Sequence, residues 1–144
     1  MDNDLLIGSF DFEIDLREAL HIPNVDIKQL GGSCDVYIRD NEGKNIPHLH
    51  LIGPNKFETC ICLNEPKYFN HNGVKHRPFA NRKQINSFDD FMRKAPSPSL
   101  SKRYPEARTN FELCCKAWAA TNDPAFVPPA DMYNHKYSLD YTRL

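Results

Sequence analysis

The fold of this chain is decided by residues 46–63, which read IPHLHLI (46–52), GPNK (53–56) and FETCICL (57–63). The first and third pieces have the length and apolar content of β-strands, and a Gly/Pro/Asn turn separates them. Successive side chains of a strand point to opposite faces, so residues two apart share a face. The stretch therefore predicts a β-hairpin on which His48 and His50 project from one face.

The segments before the hairpin extend this sheet. Residues 33–40, with Val36 and Ile38 at their centre, predict a strand, and the turn residues at 41–43 connect it to the hairpin. The result is an antiparallel β-meander of about three strands over residues 33–63. Further upstream, apolar residues recur at helical spacing and predict a short helix over residues 11–21, ended by Pro23.

The segments after the hairpin predict a helical layer over residues 81–121. Ile85, Phe88, Phe91 and Met92 fall on one stripe of a helix that Pro96 stops. A second helix begins at Thr109, where Thr109 and Glu112 form a capping box. Residues 124–144, which contain prolines and tyrosines, predict an extended aromatic tail. We therefore expect an α+β fold in which two or three helices cover the meander, with residues 1–144 forming a single domain.

Composition excludes several classes of protein. Of the 144 residues, 40% are apolar and 26% are charged, and no apolar run reaches the length of about 20 residues that a membrane helix needs. The acidic start, Met1 to Asp4, does not match a secretory signal. The five cysteines lack the spacing of a disulfide framework, so we expect reduced thiols that fill apolar space. A cytoplasmic protein without membrane contact is the expectation.

The net charge of −1 conceals an uneven distribution. Residues 2–18 carry six acidic side chains and one arginine, whereas residues 67–103 carry nine Lys/Arg and two Asp. Such a basic segment, interleaved with aromatic residues, suits an acidic protein partner or a nucleic acid, although an ordinary solvated face has the same composition. The predicted binding residues are Lys67, His71, Lys75, His76, Arg77, Arg82 and Lys83.

His48 and His50 are also candidate ligands for a transition metal, and no other cofactor is expected. Imidazoles two residues apart on a strand suit such an ion, but a site needs further ligands. Strand register decides which side chains can supply them. A four-residue turn at 53–56 would direct Cys60 and Cys62 to the opposite face, whereas a three- or five-residue turn would bring them to the face of the histidines. The alternative is that the histidines only hydrogen-bond or line a groove.

Acid/base catalysis is a further interpretation of the same pair. His48 and His50 could act as base and acid in RNA cleavage, with Arg39 and the basic segment holding phosphate. Other His-x-His chemistries fit less well. Cupin-type sites need a glutamate a few residues later, and here Glu58 lies beyond the turn; histidine-triad hydrolases need a third histidine where this chain has Ile52.

The order of Pro47-His48-Leu49-His50, the exit Leu63-Asn64-Glu65-Pro66 and the later Trp-bearing helix resembles a family of small bacterial proteins of unknown function. That family is defined by a Pro-Pro-His-Phe-His-Val-type motif and occurs in toxin–antitoxin-like gene pairs. This chain resembles a longer variant from Bacteroidota mobile elements over residues 33–121 and 140–144. It has Ile46 in place of the first proline and Leu49 in place of the aromatic residue. The resemblance implies a non-enzymatic accessory protein that binds a partner; the alternatives are a small histidine-dependent ribonuclease toxin and a metal-binding protein.

Overall fold

The computed structural model describes residues 18–39, 46–69 and 77–122, which form an antiparallel sheet with helices packed against it. The strands are β1 (Glu18–Asp26), β2 (Ser33–Arg39), β3 (His48–Ile52) and β4 (Glu58–Cys62), and they lie side by side in chain order. The helices are α1 (Arg82–Arg93), α2 (Pro98–Ser101) and α3 (Asn110–Thr121). The predicted α+β meander is confirmed, with four strands rather than about three. The turn at 41–43 and the tail at 124–144 lie outside the described residues.

The additional strand, β1, lies where the sequence predicted the end of a helix. The helix over residues 11–21 is therefore wrong in its described part, and its first seven residues lie outside the described ranges. Leu20 and Ile22 are buried while His21 between them is exposed, which is the alternation of a strand. Pro23 is tolerated because β1 is the outer strand and a register shift follows Ile22. Pairing with β2 thus outweighs the local helical spacing.

One face of the sheet packs against α1 and α3 and forms the hydrophobic core. The apolar stripe predicted for the first helix is confirmed at Ile85, Phe88 and Met92, which are buried, whereas Phe91 is partly buried. The helix α3 likewise buries an apolar stripe that includes Phe111, Cys114 and Trp118. Each fully buried aliphatic or aromatic side chain contributes roughly 1.5–3 kcal/mol to folding. The largest fully buried members of this core are Leu20, Ile27, Ile38, Leu49, Leu51, Ile61, Leu63, Tyr68, Ile85, Phe88, Met92 and Trp118.

Side-chain caps fix where the helices begin. The Asn81 side chain accepts a hydrogen bond from the Gln84 amide at the start of α1. Thr109 Oγ1 accepts one from the Glu112 amide at 3.1 Å, and the Glu112 carboxylate accepts one from the Arg108 amide at 3.0 Å. The predicted capping box is therefore present, with its returning bond one residue earlier than the standard form. None of the helices in the described ranges has the length and apolar character to cross a membrane.

All five cysteines lie in the described ranges, where they are buried and form no disulfide. Burial raises the pKa of the Cys34 and Cys62 thiols to about 11 and that of Cys114 to about 12. Such thiols stay protonated near neutral pH and are poor nucleophiles. These three cysteines therefore fit the predicted role of small apolar fillers.

Candidate metal centre

The connection between β3 and β4 sets the register that builds the site. It consists of five residues, 53–57, closed by hydrogen bonds from the Gly53 amide to the Phe57 carbonyl and from the Phe57 amide to the Pro54 carbonyl. Asn55 and Lys56 take up the left-handed conformation, with φ of 57° and 61°. Of the two registers left open by the sequence, the structure therefore has the one that brings histidines and cysteines together.

Paired residues of the hairpin project from the same face of the sheet. His48 pairs with Cys62, His50 with Cys60, and Ile52 with Glu58. On the next strand Tyr37 pairs with His50. We call this surface of the sheet, which is opposite the one that carries Leu49 and Ile61, the histidine face; at His48 it meets the core residue Trp118.

Three side chains of the histidine face converge on one point, and we call them the donor cluster: His50, Glu58 and Cys60. His50 Nδ1 lies 3.3 Å from Glu58 Oε2 and 3.4 Å from Cys60 Sγ. All three donor atoms lie within 4.8 Å of one another. His50 and Cys60 are 1% and 0% exposed, whereas the Glu58 side chain is 28% exposed. Two of the three donors, His50 and Cys60, are therefore buried, and the Glu58 carboxylate connects the cluster to solvent.

These separations match the donor spacing of a tetrahedral metal site. With bonds of about 2.0 Å to nitrogen and oxygen and about 2.3 Å to sulfur, Zn²⁺ holds N and O donors about 3.3 Å apart and N and S donors about 3.5 Å apart. The observed distances are 3.3 Å and 3.4 Å. Two of the three donor separations therefore fit a shared ion, and the third, between Glu58 and Cys60, is within 4.8 Å.

Cys60 and Glu58 both contact the same nitrogen of His50, Nδ1. In a nucleophile–histidine–acid triad, the nucleophile and the acid contact opposite nitrogens of the imidazole ring. These three side chains by themselves therefore do not form such a triad, whereas donors gathered around one point suit a shared ion.

The outer edge of β4 holds the strand that carries two of the donors. The Cys62 amide donates to the Lys67 carbonyl, and the Phe69 amide donates to the Cys60 carbonyl. The Arg77 amide donates to the carbonyl of Glu58. Because β3 pairs with the other edge of β4, the backbone of Glu58 and Cys60 is fixed from both sides.

His48 lies beside the donor cluster but is not a member of it. Its Nδ1 donates to the Ile46 carbonyl at 2.7 Å, and its ring stacks on Phe69 with centroids 4.4 Å apart. Trp118 of α3 packs against the ring at 5.2 Å, and His48 is 0% exposed. The structure thus places one of the two predicted histidine ligands, His50, among further donors. A role for His48 as a ligand stays a prediction.

Arg39, predicted to hold phosphate, lies near the end of β2. Its guanidinium stands over the Tyr37 ring, 5.8 Å from the centroid, and its carbonyl accepts a hydrogen bond from the Asn122 side chain. Tyr37 also stacks on His21 with centroids 4.5 Å apart. Arg39 therefore belongs to a row of rings and a cation on the histidine face, and its predicted catalytic role is not tested by these contacts.

The predicted binding residues are dispersed over the described structure. Lys67 forms an ion pair with Glu65, and Arg77 Nη1 donates to the Asn55 carbonyl at 2.7 Å. Arg82 and Lys83 are exposed in the first turn of α1. The remaining three, His71, Lys75 and His76, lie outside the described residues.

Sequence reasoning missed one polar cluster of the histidine face, formed by His21, Asp35 and Tyr37. His21 Nε2 contacts Asp35 Oδ2 at 3.0 Å, and the Tyr37 hydroxyl donates to the same oxygen at 3.4 Å. Burial alone would raise the pKa of the Asp35 carboxyl, but hydrogen bonds from His21, the Asn24 amide and Tyr37 outweigh it and hold the pKa below 3.8. No short motif links these positions, which only strand pairing brings together.

Comparisons with protein-family models, with curated protein sequences and with solved structures found no match to this chain. The resemblance carried by the Pro-His-x-His motif therefore stays a prediction. Arguments about function depend on the chemistry of the described residues.

Proposed function

We propose that this protein binds a transition-metal ion, Zn²⁺, at the donor cluster. The observation that supports this function best is the position of His50 Nδ1, which lies 3.3 Å from Glu58 Oε2 and 3.4 Å from Cys60 Sγ, both within about 0.1 Å of the donor separations around tetrahedral zinc, with all three donor atoms inside 4.8 Å of one another. The imidazole, carboxylate and thiol of one hairpin together offer an ion three protein ligands, which is the number found in zinc sites that keep one position open.

The donor types select zinc over the hard cations. Mg²⁺ and Ca²⁺ prefer oxygen ligands throughout, whereas a thiolate and an imidazole suit Zn²⁺. Three protein donors leave a fourth tetrahedral position for water or another small ligand, as in zinc sites that are open to exchange. The partly exposed Glu58 carboxylate provides the side from which the ion enters, because the other two donors are buried.

The proposal includes a structural role for the groups around the donors. Backbone bonds at Phe69 and Arg77 fix β4 from its outer edge, so that the carboxylate and the thiol keep their separation when the site is empty or filled. His48 packs beside His50, with ring centroids 5.0 Å apart, and restricts the orientation of the His50 ring. Such support commonly changes metal affinity by roughly 10–100-fold.

Burial favours metal binding over the ribonuclease interpretation. His48 and His50 are 0% and 1% exposed, so a nucleic acid would have to displace neighbouring chain to reach either ring. A zinc ion needs much less room than a nucleotide. The predicted accessory role in a toxin–antitoxin-like or mobile-element system is compatible with bound zinc and stays a separate prediction.

The test is zinc binding by tag-free protein, measured by equilibrium dialysis against buffered zinc followed by elemental analysis. We expect about one zinc per chain for the wild type, and an affinity more than about 100-fold lower for Cys60→Ser, because a soft ligand is lost. Cys62→Ser is the matched control, since Cys62 is equally buried on the same strand face but lies outside the donor cluster.

Circular dichroism spectra of the metal-free proteins establish that both variants fold. Absence of zinc from the wild type at micromolar free zinc would contradict the proposal. Equal zinc affinity in wild type, Cys60→Ser and Cys62→Ser would contradict it as well, because the thiol of Cys60 would then not be a ligand.

A further inference from the structure

A groove of about 620 Å³ lies between the outer strand β1 and the segment that joins α1 to α2. Ile22 and Pro23 border it on the sheet side, and Phe91 and Leu100 border it on the helix side. Its volume falls in the range of roughly 300–1,000 Å³ that is usual for ligand sites. Two further strands separate β1 from β4, so the groove is distinct from the donor cluster.

The helix side of the groove is held rigidly by one buried side chain. Asn110, which is 5% exposed, donates from its amide to the Lys94 carbonyl and from its side chain to the Phe91 carbonyl, each at 2.8 Å. These bonds satisfy the Lys94 carbonyl and give the Phe91 carbonyl, which also accepts from the Lys94 amide, a second donor at the end of α1. The groove therefore exists before any ligand binds, which lowers the entropic cost of binding.

The segment that forms the helix side of the groove is rich in cations. Between residues 93 and 108 the chain carries five Lys/Arg and one glutamate. Arg93 pairs with Asp90 and Arg108 with Glu112. For the other three cations, Lys94, Lys102 and Arg103, the described part of the chain supplies no carboxylate partner within 4 Å. Lys94 lines the groove, Lys102 and Arg103 follow its lining residue Leu100 closely in sequence, and none of the described residues that line it is acidic.

This combination of an apolar floor, a lysine at its border and two cations just beyond it in sequence selects among partners. A nucleic acid is held by a broad basic surface with exposed rings for base stacking, whereas here Phe91 and Leu100 are packed partly into the core. An apolar depression suits a single aliphatic or aromatic side chain. Pro23 and the register shift after Ile22 hinder addition of a further strand to β1, so recognition depends on side chains.

We propose that this groove binds a short acidic peptide segment of a partner protein. An apolar side chain of the peptide enters between Pro23, Phe91 and Leu100, and carboxylates on either side of it pair with Lys94 and with the cations that follow α2. The proposal is independent of bound zinc. It specifies the surface and the chemistry of the protein partner that the charge pattern of the sequence predicts.

The test is selection of peptides from a displayed library of random heptapeptides on the immobilised full chain, followed by fluorescence anisotropy with the most enriched peptide. We expect enriched sequences with at least two acidic residues around an apolar one, and an affinity that falls as salt rises. Lys94→Glu should weaken binding about tenfold or more, because a cation that pairs with a peptide carboxylate is replaced by an anion that repels it. Leu100→Ala should weaken it as well, since part of the apolar floor is removed.

The matched control is Lys28→Glu, the same charge change at an exposed lysine that borders a different groove, beside Ser87 of α1. Peptides without acidic residues, no enrichment at all, or equal affinities for Lys94→Glu and Lys28→Glu would each overturn the proposal. Binding of single-stranded RNA that Lys94→Glu abolishes, without any peptide binding, would overturn it in favour of a nucleic-acid partner.

Discussion

Zinc should stabilise the wild-type protein against thermal unfolding, and Cys60→Ser should abolish that effect. The folded chain already holds His50 Nδ1 at ligand spacing from both Glu58 and Cys60, so the native state is prepared to bind the ion. The unfolded chain loses the strand pairing that brings the β4 donors to His50. It therefore binds zinc only weakly, through pairs of ligands that lie close together in sequence. At free zinc about 100 times the dissociation constant, linkage adds about 2.7 kcal/mol to the free energy of unfolding.

For a domain of this size, each kcal/mol added to the free energy of unfolding raises the melting temperature by about 3 °C, so zinc should raise it by roughly 8 °C. The assay is differential scanning calorimetry of tag-free protein, first with chelator and then in buffered zinc at 100 times the measured dissociation constant. Cys62→Ser should retain the rise, and Cys60→Ser should show less than about 2 °C. The effect should weaken as pH falls, because protons compete with the metal for imidazole and thiolate. Equal zinc-induced rises in all three proteins would refute the reasoning.

Three further predictions concern the elements that position the site. Gly53→Ala should destabilise the hairpin by about 1–3 kcal/mol, because a Cβ there would lie 2.9 Å from the Cys34 sulfur; unchanged urea unfolding would contradict this. Thr109→Ala should cost about 1 kcal/mol through loss of the α3 cap, measurable as a lower urea midpoint, whereas Thr121→Ala near the end of that helix should cost less. Because the pKa of Asp35 is held below 3.8, its contribution to stability is present above pH 3.8 and is lost as pH falls through the lowered value. His21→Ala should raise that pKa in a carboxyl NMR titration, and an unchanged titration would show that the His21 bond is unimportant.

Local sequence patterns were sufficient for the elements whose signals are local. The capping box at Thr109 and the stripe of Ile85, Phe88 and Met92 predicted both long helices to within a residue or two. The hairpin was equally clear from strand composition and turn residues. In each case the interactions that define the element occur within one helix or between adjacent strands.

The strand β1 was missed because two periodicities compete in the same residues. Ala19 and Leu20 fit a helical pattern that begins upstream, whereas Leu20 and Ile22 fit a strand. The choice depends on the pairing of Ile22 and Leu20 with Val36 and Ile38 of β2, which lie 14 and 18 residues away in sequence. Pro23 looked like a helix stop and instead lies at the irregular part of an outer strand.

The sequence predicted only part of the donor cluster. A shift of one residue in the pairing of β3 with β4 decides whether the cluster forms. A turn of four or five residues fits the Gly-Pro-Asn-Lys stretch equally well, and the choice reverses the faces of Glu58 and Cys60. The left-handed conformations of Asn55 and Lys56 lengthen the connection to five residues. Glu58 had been set aside because it follows the turn, although antiparallel pairing returns it to the vicinity of His50.

The most direct test of the central claim is X-ray absorption spectroscopy at the zinc edge on the zinc-loaded, tag-free protein. The donor cluster predicts four neighbours around the zinc ion. One is sulfur at about 2.3 Å, and the other three are nitrogen or oxygen at about 2.0–2.1 Å. The sulfur neighbour should be absent from the residual zinc of Cys60→Ser and present in Cys62→Ser. A first shell of nitrogen and oxygen alone in the wild type, or one with two sulfurs, would contradict the assignment of His50, Glu58 and Cys60 as the zinc ligands.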